Sequence, residues 1–403
     1  MHDLFFLPSW PPSAGDLLWY GALLLAGEIT GIAVHRWLRL PRLIGWVAVG
    51  LIVGPSVMGA LDQETLASLS GVLNVAIGMV LFELGQRVDL SWLRRNPWLL
   101  GTSILESGLS FAAMFFVLRL LNTHPLVAAV AAALGVTTAP AVVLALVRDL
   151  RAQGQVTERM LLFTALNSIY TFITVSILLA SLAREYRGDW ISILGHPSYL
   201  VLGSLLFAAV FASITLRLLR LLDHRQESQF ICVIGLVAVA VWGAIALKLS
   251  VALALLGYGT MMRTFDTERH FVSLNFGRVG RIFLVLLFVL TAASLDLRLL
   301  PAGALGGLAL VLARFAGKSL GVFALARKSG LTLQKAWYLS IGLLPKAGVT
   351  IILVHEVNAM YPQFGPALAT IVVSSIVILE LIGIPLASYA LKKSGEAFEE
   401  GQT

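Results

Sequence analysis

The sequence predicts an all-α polytopic membrane protein of about thirteen transmembrane helices, in two inverted six-helix halves with crossed broken helices. Hydrophobic residues make up 58% of the 403 residues and charged residues 13%, about half of the roughly 25% charged share of soluble domains. Apolar runs near the roughly 20 residues that cross a bilayer recur along the whole chain. Prolines interrupt two of these runs near their middles, which predicts broken helices.

Charge clusters and prolines divide the chain into thirteen candidate spans, of which the eighth and ninth are the least clearly separated. The spans run approximately over residues 15–37, 42–60, 66–87, 97–121, 125–147, 159–183, 197–221, 229–247, 249–263, 279–296, 302–326, 332–356 and 366–391.

Basic residues test this division independently, because they concentrate in the cytoplasmic loops of membrane proteins. With these spans, 21 Lys and Arg residues fall on one side and 5 on the other. The formal charge of +7 therefore indicates sorting across a bilayer and not a nucleic-acid partner. We expect an integral protein of the bacterial inner membrane with its N-terminus outside and its C-terminus in the cytoplasm.

The predicted domain organisation follows from the spans. It comprises an external N-terminal segment 1–14, a first six-helix half 15–196, a linking helix 197–228, a second six-helix half 229–392 and a short cytoplasmic tail 393–403. The connections are too short for a soluble catalytic domain, and the first residues lack the basic region of a secretory signal. The single cysteine, Cys232, excludes an internal disulfide and a multi-cysteine metal site.

Ionisable residues inside spans are costly in a membrane, so each is a candidate functional residue. The cations are Arg314, Lys318 and Lys346. Arg314 and Lys318 are four residues apart, so they share one face of a helix. The acids within spans are Glu28, Glu83, Glu106 and Glu380. Glu28 and Glu380 are interpreted as mainly structural.

Two spans carry polar stripes at helical spacing, each fitting one face of a 3.6-residue helix. The stripe of the fourth span comprises Ser103, Glu106, Ser107 and Ser110, and that of the sixth comprises Thr164, Asn167, Ser168 and Thr171. Such hydroxyls also bond neighbouring helices without any other role. Asn167 and Ser168, near mid-span, are favoured as site residues.

Proline interrupts the fifth span at Pro140 and the twelfth at Pro345. A proline removes a backbone donor, and in lipid the freed groups must find partners in protein or in a polar cavity. The two breaks occupy corresponding places in the two halves, which is typical of transporters whose discontinuous helices meet near the membrane midplane.

The sequence resembles the monovalent cation:proton antiporter-2 family, which includes Kef-type and sodium/proton exchangers. The resemblance rests on LPRLIGWVAVGLIVGPSVMGAL, VLFELGQRVDLSWLRR, TTAPAVVLALVRD, LTAASLDLRLL and LLPKAG, and it extends from about residue 20 to 390. It implies a homodimer in which a core bundle with crossed broken helices moves against a dimerisation bundle. It also implies a cation site beside spans five, six and twelve.

The family's acids are replaced in this chain. Thr138, Ala139 and Pro140 stand where many members have Thr-Asp-Pro, and Asn167 and Ser168 stand where they have an Asp-Asp or Asn-Asp pair. Lys346 stands in place of an arginine, and Lys318 resembles the retained lysine that pairs with the lost sixth-span acid. The candidate ion- or substrate-binding residues are Thr137, Thr138, Asn167, Ser168, Lys318, Lys346, Glu83 and Glu106, with Pro140 and Pro345 as the helix breaks.

Three functions follow from this pattern. In the first, Glu83 or Glu106 replaces the lost acid, pairs with Lys318 or Arg314, and supports exchange of Na⁺ or K⁺ for protons. In the second, the lysines bind an anion or organic acid. In the third, transport is lost and the fold is a scaffold or sensor for a soluble partner. The chain has no phosphate-binding loop and no His-Glu-x-x-His motif, so we expect no enzyme activity, cofactor or resident metal.

Overall fold

The fold is a bundle of α-helices. The computed structural model describes residues 15–187, 195, 197–221, 226–266, 277–346, 350, 354 and 363–398. Within these ranges the regular elements are helices, and no strand occurs. The helices of the first part are α1 (Asp16–Ala33), α2 (Arg42–Val53), α3 (Gln63–Ser68), α4 (Ser70–Arg87), α5 (Leu90–Arg95), α6 (Pro97–Leu120), α7 (Pro125–Val136), α8 (Pro140–Asp149) and α9 (Gln155–Arg187). The later helices are α10 (Ser204–Leu221), α11 (Gln226–Ala246), α12 (Val251–Phe265), α13 (Gly277–Ala293), α14 (Leu300–Leu325), α15 (Leu333–Gly342) and α16 (Gly365–Lys393).

The helices begin where the sequence supplies start signals. Proline, whose missing N–H costs nothing at a helix start, occupies the first position of α6, α7 and α8. Elsewhere a side chain accepts a hydrogen bond from an orphan amide of the first turn. Ser250 does this at α12, accepting from Leu253 N, and Thr332 does it at α15, accepting from Lys335 N. The caps therefore fix the ends of helices that apolar packing alone leaves undefined.

The spans agree with the sequence prediction in type and approximately in number. Eight helices of the described residues are long and apolar enough to cross a membrane, with shorter apolar helices at Arg42–Val53 and Gly280–Ala293. The eighth and ninth spans are correctly divided, since α11 ends at Ala246 and α12 begins at Val251. The second span is shorter than expected because its helix ends at Val53, before the Gly54–Pro55 pair.

The helices form two bundles. The core bundle comprises α6, α7, α8, α9, α14, α15 and α16, and the flanking bundle comprises α1, α2, α4, α10, α11, α12 and α13. Contacts between the bundles are fewer and join mainly α4 to α8 and α9, α12 to α9, and α16 to α2. The broken span Pro125–Asp149 lies at the centre of the core bundle, with 94% of its most apolar window buried.

The two broken helices cross inside the core bundle, as the sequence predicts. The fifth span is interrupted at residues 137–139, between α7 and α8, and the twelfth loses helical structure after Gly342. The Ala139 amide donates to the Pro345 carbonyl at 2.9 Å, and Thr138 Oγ1 donates to the Leu343 carbonyl at 3.1 Å. Most of the twelfth span beyond Lys346 lies outside the described residues, as do the N-terminal segment 1–14 and the last residues of the predicted tail.

Candidate functional site

Arg314 holds the crossing together. Its side chain is fully buried, and it projects from the middle of α14 into the gap between the two interrupted helices. The guanidinium donates hydrogen bonds to Gly135 O at 2.7 Å, Leu344 O at 2.7 Å, Thr137 O at 2.8 Å, Leu343 O at 2.9 Å and Thr138 Oγ1 at 3.3 Å. These carbonyls lie at or just beyond the C-terminal ends of α7 and α15, where the helix dipole concentrates partial negative charge. One planar cation therefore caps both half-helices.

Lys318 lies one turn after Arg314 on the same face of α14 and forms an ion pair with Glu106 of α6. The distance between Lys318 Nζ and Glu106 Oε2 is 2.8 Å, and both side chains are 0% exposed. Glu106 is therefore the acid that faces Lys318, whereas the sixth span has Asn167 and Ser168. A buried charge pair of this kind is tolerated only with close geometry, because each charge has lost its hydration.

Two glycines allow this short distance between the helices. A Cβ atom added at Gly321 would lie 2.2 Å from Glu106 Cα, and one added at Gly317 would lie 2.5 Å from Ser110 Cα. Larger side chains at these positions would force α6 away from α14. The glycines that flank Lys318 thus bring the carboxylate within reach of the ammonium.

Polar groups of α6 and α9 surround the ion pair. Ser103, Glu106, Ser107 and Ser110 are all buried. Ser107 Oγ donates to Asn167 Oδ1 at 2.8 Å, which joins the fourth span to the sixth. Glu106 Oε1, Ser110 Oγ and Asn167 Nδ2 are buried without a hydrogen-bond partner among the described residues. Carboxylate and hydroxyl oxygens such as those of Glu106 and Ser110 are the ligands that hard cations take in proteins.

The other polar residues of the sixth span divide into two groups. Ser168 Oγ donates to Thr164 O at 2.9 Å, and Thr164 Oγ1 donates to Met160 O, so both hydroxyls bond to their own helix. Thr171 Oγ1 instead donates to Ala133 O at 3.0 Å and attaches α9 to α7. Asn167 is the residue of this stripe that bonds to α6, through Ser107, the residue after Glu106.

Thr137, Thr138 and Pro140 lie at the first break and shape it. Thr137 Oγ1 donates to Leu134 O at 2.9 Å, at the end of α7, while its own carbonyl accepts from Arg314. Pro140 begins α8. The two threonines are therefore placed where the half-helix carbonyls converge, one helical turn of α14 from the ion pair.

Lys346 follows Pro345 at the second break and points into the core bundle. It is 1% exposed, and its ammonium lies 3.4 Å from Ser375 Oγ of α16. The structure thus places Lys346 against α16, whereas Lys318 faces α6.

Glu83 belongs to a different part of the molecule. Its carboxylate accepts a hydrogen bond from Arg148, at the end of α8, and this pair joins the flanking bundle to the core bundle. The structure therefore brings Glu106, but not Glu83, to the lysine that lacked a partner in the sequence.

Crossed half-helices in a membrane bundle, with a buried ion pair beside them, define the architecture of secondary transporters. The chain belongs to the sodium/hydrogen exchanger transmembrane family, whose model matches residues 24–391. The family resemblance that the sequence motifs indicated is thereby confirmed. No curated protein matches the chain in sequence.

Solved structures share the fold. The sodium/proton antiporter MjNhaP1 from Methanocaldococcus jannaschii at pH 8 is 16% identical with a TM-score of 0.72, and the match covers 95% of this chain and 98% of that one. An electron-microscopy structure of the same antiporter is 17% identical with a TM-score of 0.73, covering 95% and 99% of the two chains. At this identity the likeness establishes the fold.

Sequence reasoning missed the role of Arg314 and the involvement of Arg148. The spacing of Arg314 and Lys318 indicated a shared buried face, but not that the arginine would bond to backbone carbonyls of two other spans. Arg148 sits at a span end among other basic residues, so nothing in its local sequence distinguishes it. Its partner becomes visible only when α4 and α8 are packed together.

Proposed function

We propose that the protein is a monovalent cation:proton antiporter in which Glu106 binds the cation and Lys318 competes with it. The observation that carries this proposal is the fully buried ion pair, 2.8 Å between Lys318 Nζ and Glu106 Oε2, one turn from the crossing of the broken helices. Membership of the sodium/hydrogen exchanger family supports it, and so does the shared fold of MjNhaP1, which is itself a sodium/proton antiporter.

The exchange follows from the chemistry of one carboxylate with two competing cations. A dehydrated Na⁺ or K⁺ on Glu106 leaves the nearby ammonium of Lys318 without its counter-ion, and a buried unpaired ammonium releases its proton. Release of the metal cation on the other side lets Lys318 take up a proton and pair with Glu106 again. Ser110, one turn after Glu106 on α6, has a buried hydroxyl oxygen without a hydrogen-bond partner among the described residues, so we include it as a further ligand of the cation.

Charge counting on this site predicts electroneutral exchange. Without a metal cation, Glu106 and protonated Lys318 sum to zero. With one bound monovalent cation, Glu106 and neutral Lys318 again sum to zero. Because the site carries the same charge in both forms, we propose a stoichiometry of one proton per cation, with no effect of membrane potential on the equilibrium.

The pairing favours cations over the anion alternative. Lys318 already has a carboxylate partner, and the guanidinium of Arg314 is bonded to backbone carbonyls. An incoming anion would have to displace Glu106 from a fully desolvated site, where like charges repel strongly. The remaining parts of the proposal are a homodimer, a bacterial inner-membrane location, an external N-terminus and a cytoplasmic C-terminus; a soluble partner stays compatible with them.

The test is proton flux in proteoliposomes that hold the purified protein and a pH-sensitive dye. An imposed pH gradient is challenged with Na⁺, K⁺ and Li⁺ and then with anions, with and without a potential set by valinomycin and K⁺. We expect a cation-dependent collapse of the gradient that is insensitive to the potential and is lost in Glu106→Gln.

The matched control is Glu28→Gln, which removes a membrane carboxylate outside the core bundle. Glu28 lies 3.7 Å from both Arg42 and Arg281 and is partly exposed. This variant should retain flux. Flux in Glu106→Gln equal to that of the parent excludes the proposed site, and silence of the parent toward every cation excludes antiport.

A further inference from the structure

Glu83 and Arg148 form a charged contact between the two bundles. Glu83 lies on α4 of the flanking bundle and is 7% exposed, and the Arg148 side chain at the end of α8 is 23% exposed. Arg148 Nη2 donates to Glu83 Oε2. The pair is therefore largely withdrawn from water and lies at one of the few places where the bundles touch.

Five other ion pairs stay within one bundle. Glu28 with Arg42 and Arg281, and Arg263 with Asp89, belong to the flanking side. Lys318 with Glu106, and Lys335 with Glu396, belong to the core side. Unlike these five pairs, Glu83 and Arg148 lie on different bundles, so a relative movement of the bundles would separate them.

A cavity of about 520 Å³ opens between the bundles at the same end of the molecule. One wall comes from the end of α4 and of α12, and the other comes from the first turn of α9. Arg87, Asp89 and Arg263 lie on the first wall, and Gln155, Glu158 and Arg159 lie on the second. Arg87 is one turn beyond Glu83 on α4, so the ion pair lies close to the inner end of this cleft.

We infer that the Glu83–Arg148 pair is a latch that holds the core bundle against the flanking bundle and sets how often the cleft opens. Moving α8 along α4 would leave two charges unpaired in an apolar seam, which favours discrete closed and open positions over a continuum. Any effect of the latch on transport rests on the proposed antiport. The opening of the cleft does not depend on antiport, and it can be measured separately.

The test is the chemical accessibility of the cleft. Cys232, the single cysteine of the sequence, is replaced by serine, and Ala145→Cys serves as the reporter for a membrane-impermeant maleimide, because Ala145 lies one turn before Arg148 on α8 and is only 4% exposed in the closed position. Without any ion gradient, we expect Glu83→Gln and Arg148→Gln each to label at least about fivefold faster, because each change leaves one largely buried charge without its partner in the closed position. The charge exchange Glu83→Arg with Arg148→Glu should return the rate toward that of the parent.

The matched control is Arg281→Gln, which breaks an ion pair within the flanking bundle and should leave labelling unchanged. Parental labelling rates in both neutral single variants overturn the latch. If those variants do not fold, Arg148→Lys keeps the charge but loses the planar fork. An increased labelling rate in Arg148→Lys supports the latch, and a parental rate overturns it. A protein that is silent in proteoliposomes refutes antiport without affecting this result.

Discussion

Because Glu106 and Lys318 form a fully buried ion pair, replacing one of them should destabilise the protein more than replacing both. At 2.8 Å between the charged atoms, their attraction is about 6 kcal/mol for an effective dielectric constant of about 20. Burial of both side chains offsets most of this. Removing one partner should still destabilise the fold by about 3–5 kcal/mol, because a lone buried charge remains.

The variants Glu106→Gln, Lys318→Met and the double replacement test this magnitude. Thermal unfolding of the purified protein in detergent, followed by tryptophan fluorescence, should show a lower midpoint for each single variant. The double replacement should unfold close to the parent, since replacing a buried pair by neutral groups is often neutral or stabilising. A cycle of the four proteins yields the coupling energy of the two residues.

Two results would contradict this reasoning. If the destabilisations of the single variants simply add in the double variant, the residues are not coupled and the ion pair is not formed in the membrane protein. If neither single variant is destabilised, the site is hydrated and the desolvation argument fails. Glu28→Gln, at a partly exposed ion pair, should cost about 1 kcal/mol or less and calibrates the measurement.

Three further predictions concern the supports of the site. Gly321→Ala places a Cβ 2.2 Å from the backbone of α6. We therefore expect overpacking to lower the free energy of unfolding by about 1–3 kcal/mol and to slow cation-driven flux. The control Gly101→Ala, whose added Cβ has its nearest contact at 3.5 Å, should change neither stability nor flux. Arg314→Lys gives up the forked hydrogen bonds to two half-helices and should lower the unfolding midpoint clearly, because bonds to a charged group contribute about 1.5–3 kcal/mol each; an unchanged midpoint contradicts its capping role. Glu396→Gln weakens the hydrogen bonds that this tail residue accepts from the first amides of α9. We expect the protein to lose about 0.5–2 kcal/mol of stability. Faster hydrogen exchange at the start of α9 is the local measurement.

The general architecture could be predicted from sequence because each of its signals is local. Long apolar runs predict spans, basic loops predict their division, and Pro140 and Pro345 predict the breaks. A polar link between two apolar runs predicts that the eighth and ninth spans are separate helices, and α11 and α12 confirm this. The predicted end of the second span at residue 60 is wrong, because apolar residues continue beyond Gly54 and Pro55 although the helix ends at Val53.

The partners of the buried charges could not be predicted, because they depend on how distant helices align. The spacing of Arg314 and Lys318 fixes their shared face, but the choice between Glu83 and Glu106 as the acid depends on which helix lies against that face. Close approach at Gly317 and Gly321 brings α6 there. Sequence alone does not reveal that these glycines face a carboxylate on another helix.

The two cations of α14 have different physical roles. Arg314 bonds to carbonyl groups, which cannot take up or lose protons, so its position is fixed throughout any exchange. Lys318, one turn away, bonds to a carboxylate that in the proposed exchange also binds a metal cation, so its partner can change. Because both residues lie on one continuous helix, the proposed opening of the ion pair requires no change at the crossing. The proposed exchange therefore needs no sixth-span acid, because Arg314 supplies a fixed frame and Glu106 is the carboxylate for which the two cations compete.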